Sequence, residues 1–314
     1  MTKGGRKGLE FIMKELMEDD ERIIRILKWT VGIVAVCEVI LGFIGWYTNQ
    51  HMYMYALSAM CIGALVLSLV HGTATVGWKN VVIIFLIGMI GSLFFESMGV
   101  NFGLFFSKYT YTGVIPGPKI FGFDVFSMVA YGFAVYEFWT LGQVAVGMFD
   151  NRFHKGDVIL VPIVSGLLFV AIDLGTDPLL ASVSGAYDWV QEGVYYGVPY
   201  QNYLGWIVMA ITIMMCISLL LYSQQKRGTL PEAPSVARRK WFWKAPALLY
   251  GALYIQMPFY ALIRENTEFT VYSGQTFQTH DVYWGVAIVY LCAVFVPALI
   301  MWARVNRAQE LVND

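Results

Sequence analysis

Charge is scarce in this chain of 314 residues: 14% are Asp, Glu, Lys or Arg, where an ordinary soluble domain carries about 25%. Set beside 58% hydrophobic residues and a mean hydropathy of +0.59, that excludes a soluble domain of the usual make-up. The formal net charge of −1 supplies no bulk attraction to nucleic acid, which is not expected as a partner. There are only four histidines, none in an HxxxH or HxxHH pair, so the ligand-rich chemistry of a membrane di-iron desaturase or hydroxylase is not supported. The four cysteines, Cys37, Cys61, Cys216 and Cys292, all sit in apolar runs; this argues against a disulfide framework and for small buried thiols. No P-loop or Rossmann fingerprint occurs. No lysine stands in the middle of the last apolar runs to carry a retinal Schiff base. "DLGTD" is a lone DxxxD, whereas membrane prenyltransferases hold diphosphate and Mg²⁺ with paired Asp-rich motifs. Neither a metal nor a cofactor is called for. The first 28 residues are rich in charge, with "MEDDER" in the middle, and lack the apolar core of a signal peptide. The stretch "LEFIMKELMEDDERIIRIL" reads instead as a cytoplasmic amphipathic helix.

What the chain does have is apolar runs of about 20 residues, enough to cross a bilayer as helices. Eight spans are expected, at 29–48, 52–71, 80–98, 125–147, 158–175, 203–222, 244–264 and 282–303. With the N-terminus inside, all of the 21 Lys and Arg except Lys108, Lys119 and Arg264 fall on the inner side. That is a strong positive-inside asymmetry, and it places the C-terminus inside as well. The expected architecture is an all-α, multi-pass helical bundle of about eight transmembrane helices in the cell membrane, with the lipid bilayer as its surroundings. Residues 1–28 form a cytoplasmic amphipathic segment and 29–303 a single transmembrane domain. Within that domain 223–243 is a basic cytoplasmic loop, and 304–314 is a cytoplasmic tail.

The direction of each span converts sequence position into depth. The apolar run "VILVPIVSGLLFVAIDLGTDP" ends with Asp173 and Asp177, one helical turn apart and able to share a face. Glu96 lies near the outer end of the third span, Asp124 opens the fourth, and Asn202 opens the sixth on the same side. A carboxylate inside a membrane segment costs about 2.5–3.5 kcal/mol on insertion scales, so these residues face a cavity or a partner. Simpler roles compete. Asp177 precedes Pro178 and can cap a turn. The Trp and Tyr residues can form an interfacial belt, although 185–206 is dense in rings for a belt alone. Glu38 and Glu137 sit deeper and can bond across helices. Arg264 can neutralise the acidic cluster, and His51, His71 and His154 fall at span ends, as interfacial residues do.

Two stretches resemble a known family. "FFESMGVNFGLFFSKYTYTGVIPGPKIFG" is similar to the first signature of the carotenoid biosynthesis membrane proteins of the gamma-carotene 1′,2′-hydratase and bisanhydrobacterioruberin hydratase type. "DLGTDP", "YDWV" and "GVYYGVPYQNYLGW" resemble the second. The resemblance covers roughly 90–210. It implies a cofactor-independent hydro-lyase that adds water across a terminal carbon–carbon double bond of an acyclic carotenoid, with other carotenoid biosynthesis enzymes as neighbours in the membrane.

Such chemistry needs a carboxylic acid that stays protonated near neutral pH, a state favoured by burial and by a second nearby carboxylate. Glu96 and Asp173 are the expected acid and water-orienting pair, in an order the sequence does not assign, with Asp177 as the next candidate. The residues expected to bind substrate are Tyr109, Tyr111, Asp124, Glu137, Trp189, Tyr195, Tyr196, Asn202 and Trp206. The competing function is a carotenoid- or lipid-binding or transport protein without catalysis, and the absence of an evident inverted repeat weighs against transport.

Overall fold

A computed structural model describes residues 20–50, 52–115 and 117–313. Most of the expected amphipathic N-terminal segment, and His51, lie outside the described residues. Helices dominate because an apolar run without water can satisfy its backbone groups only internally. Helix α1 (Asp20–Thr48) runs without interruption through the first expected span. Helix α2 (Tyr53–Leu67) passes through a wide π-turn, Ser68–Gly72, to end at Val76. Helix α3 (Trp78–Phe102) stops at Gly103, whose φ of +66° is the left-handed cap that glycine adopts without strain. Then come α4 (Val125–Val146), α5 (Asp157–Asp177, continued by a π-turn over Pro178–Val183) and α6 (Tyr200–Lys226). They are followed by α7 (Lys240–Ala252), α8 (Met257–Ala261), α9 (Thr279–Tyr290) and α10 (Val296–Arg307).

Six of these segments are, by length and composition, apolar enough to cross a membrane: Asp20–Thr48, Tyr53–Val76, Trp78–Phe102, Asp157–Val183, Tyr200–Lys226 and Thr279–Arg307. The fourth and seventh expected spans are of another kind. Helix α4 is full length but buries Tyr136, Glu137, Thr140 and Gln143 within the bundle. The seventh span is not one helix. It breaks over residues 253–256, and Pro258 sits in the first turn of α8, where it has no N–H to carry the helical ladder across the break. The break is bridged by side chains instead: Gln256 donates to Glu38 of α1 at 2.6 Å and accepts from Tyr260. Glu38 therefore does bond across helices.

Helix α5 packs between α4 and α6, and α3 closes the group against α4 and α6. Helix α7 packs between α1 and α10. Small residues let these backbones approach. At Gly205 a Cβ would lie 2.5 Å from the carbonyl oxygen of Phe105, so there is no room for a side chain between α6 and the loop after α3. Gly205→Ala is expected to cost ~1–3 kcal/mol, the usual penalty for overpacking. The check is a lower thermal unfolding midpoint of the detergent-solubilised protein.

The described residues are not purely helical. Strand β1 (Tyr109–Tyr111) pairs antiparallel with β4 (Tyr187–Trp189), in the register Tyr109 to Trp189, Thr110 to Asp188 and Tyr111 to Tyr187. Two local hairpins, β2 (Lys119–Ile120) with β3 (Phe123–Asp124) and β5 (Glu268–Thr270) with β6 (Thr276–Gln278), complete the strands. No closed sheet forms among the described residues. His71 is a correction to its expected interfacial place. It is fully buried, stacked on Phe242 with ring centroids 3.8 Å apart, and its Nδ1 lies 2.8 Å from the Tyr136 hydroxyl.

Candidate functional site

A hollow lies among α2, α3, α4, α5 and α6, with about 1070 Å³ of space not filled by atoms, its open side included. Its walls are mainly apolar, from Leu57, Met60, Cys61 and Ala64 on α2 to Phe126, Ala130, Ala134 and Phe138 on α4 and Phe169 and Ile172 on α5. Rings from three helices interlock within it. Phe138 stacks on Phe169 at 4.3 Å, and Trp206 meets Tyr131 and Phe169 edge-on, each at 5.4 Å. No Lys or Arg among the described residues lines it. Arg264 does not neutralise the acidic cluster; it lies over the Trp46 ring, 5.7 Å from its centroid.

The β1–β4 ladder roofs the hollow. Side chains alternate across a strand, so the pairing sets Tyr109, Tyr111, Tyr187 and Trp189 on one face and Thr110 and Asp188 on the other. The four rings touch, with Tyr109 4.9 Å from Trp189 and 5.6 Å from both Tyr187 and Tyr111. Tyr187 and Trp189 also wall a smaller polar cleft of about 380 Å³, formed with Ser182, Asp188, Thr270 and Ser273.

Three carboxyl groups from two helices meet beneath this roof. Tyr109 donates its hydroxyl proton to Glu96, and Tyr187 donates to Asp177. Burial, with Glu96 beside it, pushes the Tyr109 phenol well above its ordinary value; burial, with Asp177 beside it, does the same for Tyr187. Both remain O–H donors throughout the physiological range. Asn202 donates to Asp177 and, at 3.3 Å, to Asp173. Asn202 thus bridges the two aspartates, which stand one helical turn apart on α5. Asp177 does not cap the following turn with its side chain.

Of the residues expected at the site, Glu96, Asp173, Asp177, Tyr109, Tyr111, Glu137, Trp189, Asn202 and Trp206 all line the hollow. Glu137 sits at its inner part with Oε1 buried and unpartnered among the described residues. Asp124, Tyr195 and Tyr196 are not in the lining. Asp124 caps α4, accepting from the Ser127 backbone N–H at 3.0 Å. Tyr195 and Tyr196 pack on each other and reach Tyr203 and Phe277. Sequence reasoning missed Tyr187, although "YTY" and "YDW" share the ring–polar–ring alternation that marks paired strands. It also missed Tyr131, Thr176 and the whole α2 wall, where no polar residue signals a site.

No cluster of His, Cys, Asp and Glu among the described residues is arranged to hold a metal ion. A model of the family described as carotenoid biosynthesis protein matches residues 51–242, a stretch that includes all of the carboxyl cluster and its roof. No curated protein and no solved structure matches the chain.

Proposed function

This chain belongs to the carotenoid biosynthesis protein family, and from that premise we propose that it is a cofactor-independent hydratase acting on an end group of an acyclic carotenoid. The observation that carries the reading is the convergence of Glu96, Asp173 and Asp177 under a roof of rings in an otherwise apolar hollow. We read α4 and the α7–α8 pair as two further crossings, eight in all, in the cell membrane with both termini cytoplasmic. The segment before residue 29, the basic loop 223–243 and the tail from 304 then lie on that side.

Asp173 is the general acid. It has the longest hydrogen bond of the three, the 3.3 Å bond from Asn202, and a second aspartate one helical turn away. Its proton goes to the less substituted carbon of the terminal double bond. The π electrons form the new C–H bond, and a tertiary carbocation is left. Ring faces of the roof and of Trp206 stabilise that charge, by ~2 kcal/mol or more where water is excluded. The water oxygen then bonds to the cationic carbon. Its proton passes to Glu96, held in place by Tyr109, and returns through water to Asp173, so the cycle is balanced with one water added. Water for the reaction would come from the polar cleft that Tyr187 and Trp189 also line.

The test is expression in cells that accumulate lycopene. A product heavier by one water, carrying a tertiary hydroxyl, is the expected result. Unchanged pigment copurifying with the protein would replace the enzyme by a carotenoid binder, and ion-dependent flux with neither would replace it by a transporter.

A further inference from the structure

Part of the hollow's lining reaches the outer surface of the bundle. Helices α2 and α4 touch deep in the bundle, where Ser68 donates to the Phe133 carbonyl at 3.1 Å and Tyr136 bonds both Thr75, at 2.7 Å, and His71. Toward their opposite ends both helices line the hollow, with Leu57 and Cys61 on one bank and Phe126, Ala130 and Ala134 on the other. The banks reach the outer surface. Phe126 lines the hollow yet is 44% exposed, while Leu57, Cys61, Ala130 and Ala134 are half-buried. On the same turns of α2 the outward-facing Tyr55 and Ile62 are among the most exposed apolar residues, as expected of a surface that meets lipid.

We propose that the hollow is loaded sideways from the bilayer through this gap, and that the apolar chain of a linear polyene occupies the gap while its end group lies beneath the roof. Naming the polyene rests on the functional reading above. Size leads to the same arrangement. From Phe126 to Phe138 the hollow follows twelve residues of α4, about 18 Å at 1.5 Å per residue. A polyene able to cross a bilayer core of about 30 Å cannot fit inside, and its remainder must leave by an apolar path. Above the acids the roof offers rings backed by a polar cleft; the gap between α2 and α4 is bordered by hydrocarbon and one thiol.

The experiment plugs the gap. Ala130→Trp is purified in mild detergent from lycopene-producing cells, and copurifying pigment and hydrated product are measured separately. Val129→Trp, on the same helix but outside the lining, is the control, and Asp173→Asn marks binding without chemistry. The expected result is a tenfold or greater loss of both pigment and product in Ala130→Trp, with Val129→Trp at wild-type levels. Leu57→Trp on the opposite bank is expected to act likewise and stands in if Ala130→Trp does not accumulate. Wild-type pigment and product in both bank variants would overturn side loading while leaving the hydratase reading intact. Pigment without product in the wild type, lost on plugging, would overturn the hydratase reading and leave side loading intact.

Discussion

Asp173→Asn is expected to lower hydrated product by about a hundred- to ten-thousand-fold, the range typical of losing a general acid, while the polyene stays bound. The amide matches the carboxyl in shape, so the network of Asn202, Asp177 and Tyr187 keeps its geometry and only the transferable proton is removed. Tyr187→Phe gives a useful scale. It deletes one donor to Asp177 and leaves Asp173 in place, so its loss should be much smaller. The measurement is product per unit of purified protein, with bound pigment read from the same samples. Equal losses in the two variants would move the acid role away from Asp173.

Glu96→Gln is expected to lose hydration by a similar factor and to differ in one measurable respect. If Asp173 protonates the double bond and Glu96 takes the proton of the attacking water, the Glu96 variant still forms the cation but fails to capture water. The cation then gives a proton back and returns to alkene. In D₂O this cycle introduces deuterium at the less substituted carbon of recovered, unhydrated polyene. Asp173→Asn cannot start the cycle and should leave the polyene unlabelled. Mass spectrometry of the recovered pigment separates the two, and label in the Asp173 variant but not in the Glu96 variant would exchange their roles. Tyr109→Phe, which removes the donor that holds Glu96, should show the Glu96 pattern in a milder form.

Much of this arrangement could be read from one strand of evidence, the depth of each acid along its span. A carboxylate is so costly in lipid that Glu96, Asp173 and Asp177, near the same ends of their helices, had to face something shared. What could not be read was contact between loops. The pairing of Tyr109–Tyr111 with Tyr187–Trp189 joins segments nearly eighty residues apart, and three-residue strands leave too short a pattern to register against apolar runs of twenty. The same limit applies to Asp124, Tyr195 and Tyr196, which lie outside the lining of the hollow. Their loops do reach the right end of the bundle, but hydropathy carries no information about which way a loop side chain turns, and Asp124 turns to the Ser127 amide. The break at 253–256 was hidden because its residues are nearly as apolar as a helix that continues, and Pro258 alone marks it. The α2 wall was silent for the opposite reason: a hydrocarbon surface lining a cavity and one facing lipid have the same composition.

The roof's construction bears on how a reaction cycle would run. Its two strands are stitched to each other and, just beyond them, by Thr112, whose backbone N–H and hydroxyl both donate to the Ala186 carbonyl. At the other end the Val190 N–H donates to the Lys108 carbonyl at 3.1 Å, and a cover fastened at both ends makes a poor hinged lid. If the guest enters from the lipid side, as proposed, none is needed: it could come and go while the cover stays shut, and the cation would be screened from bulk solvent through every turnover. The pace of such a catalyst would then be set by the sliding of hydrocarbon between two helices, and bilayer fluidity, more than any loop motion, would govern it.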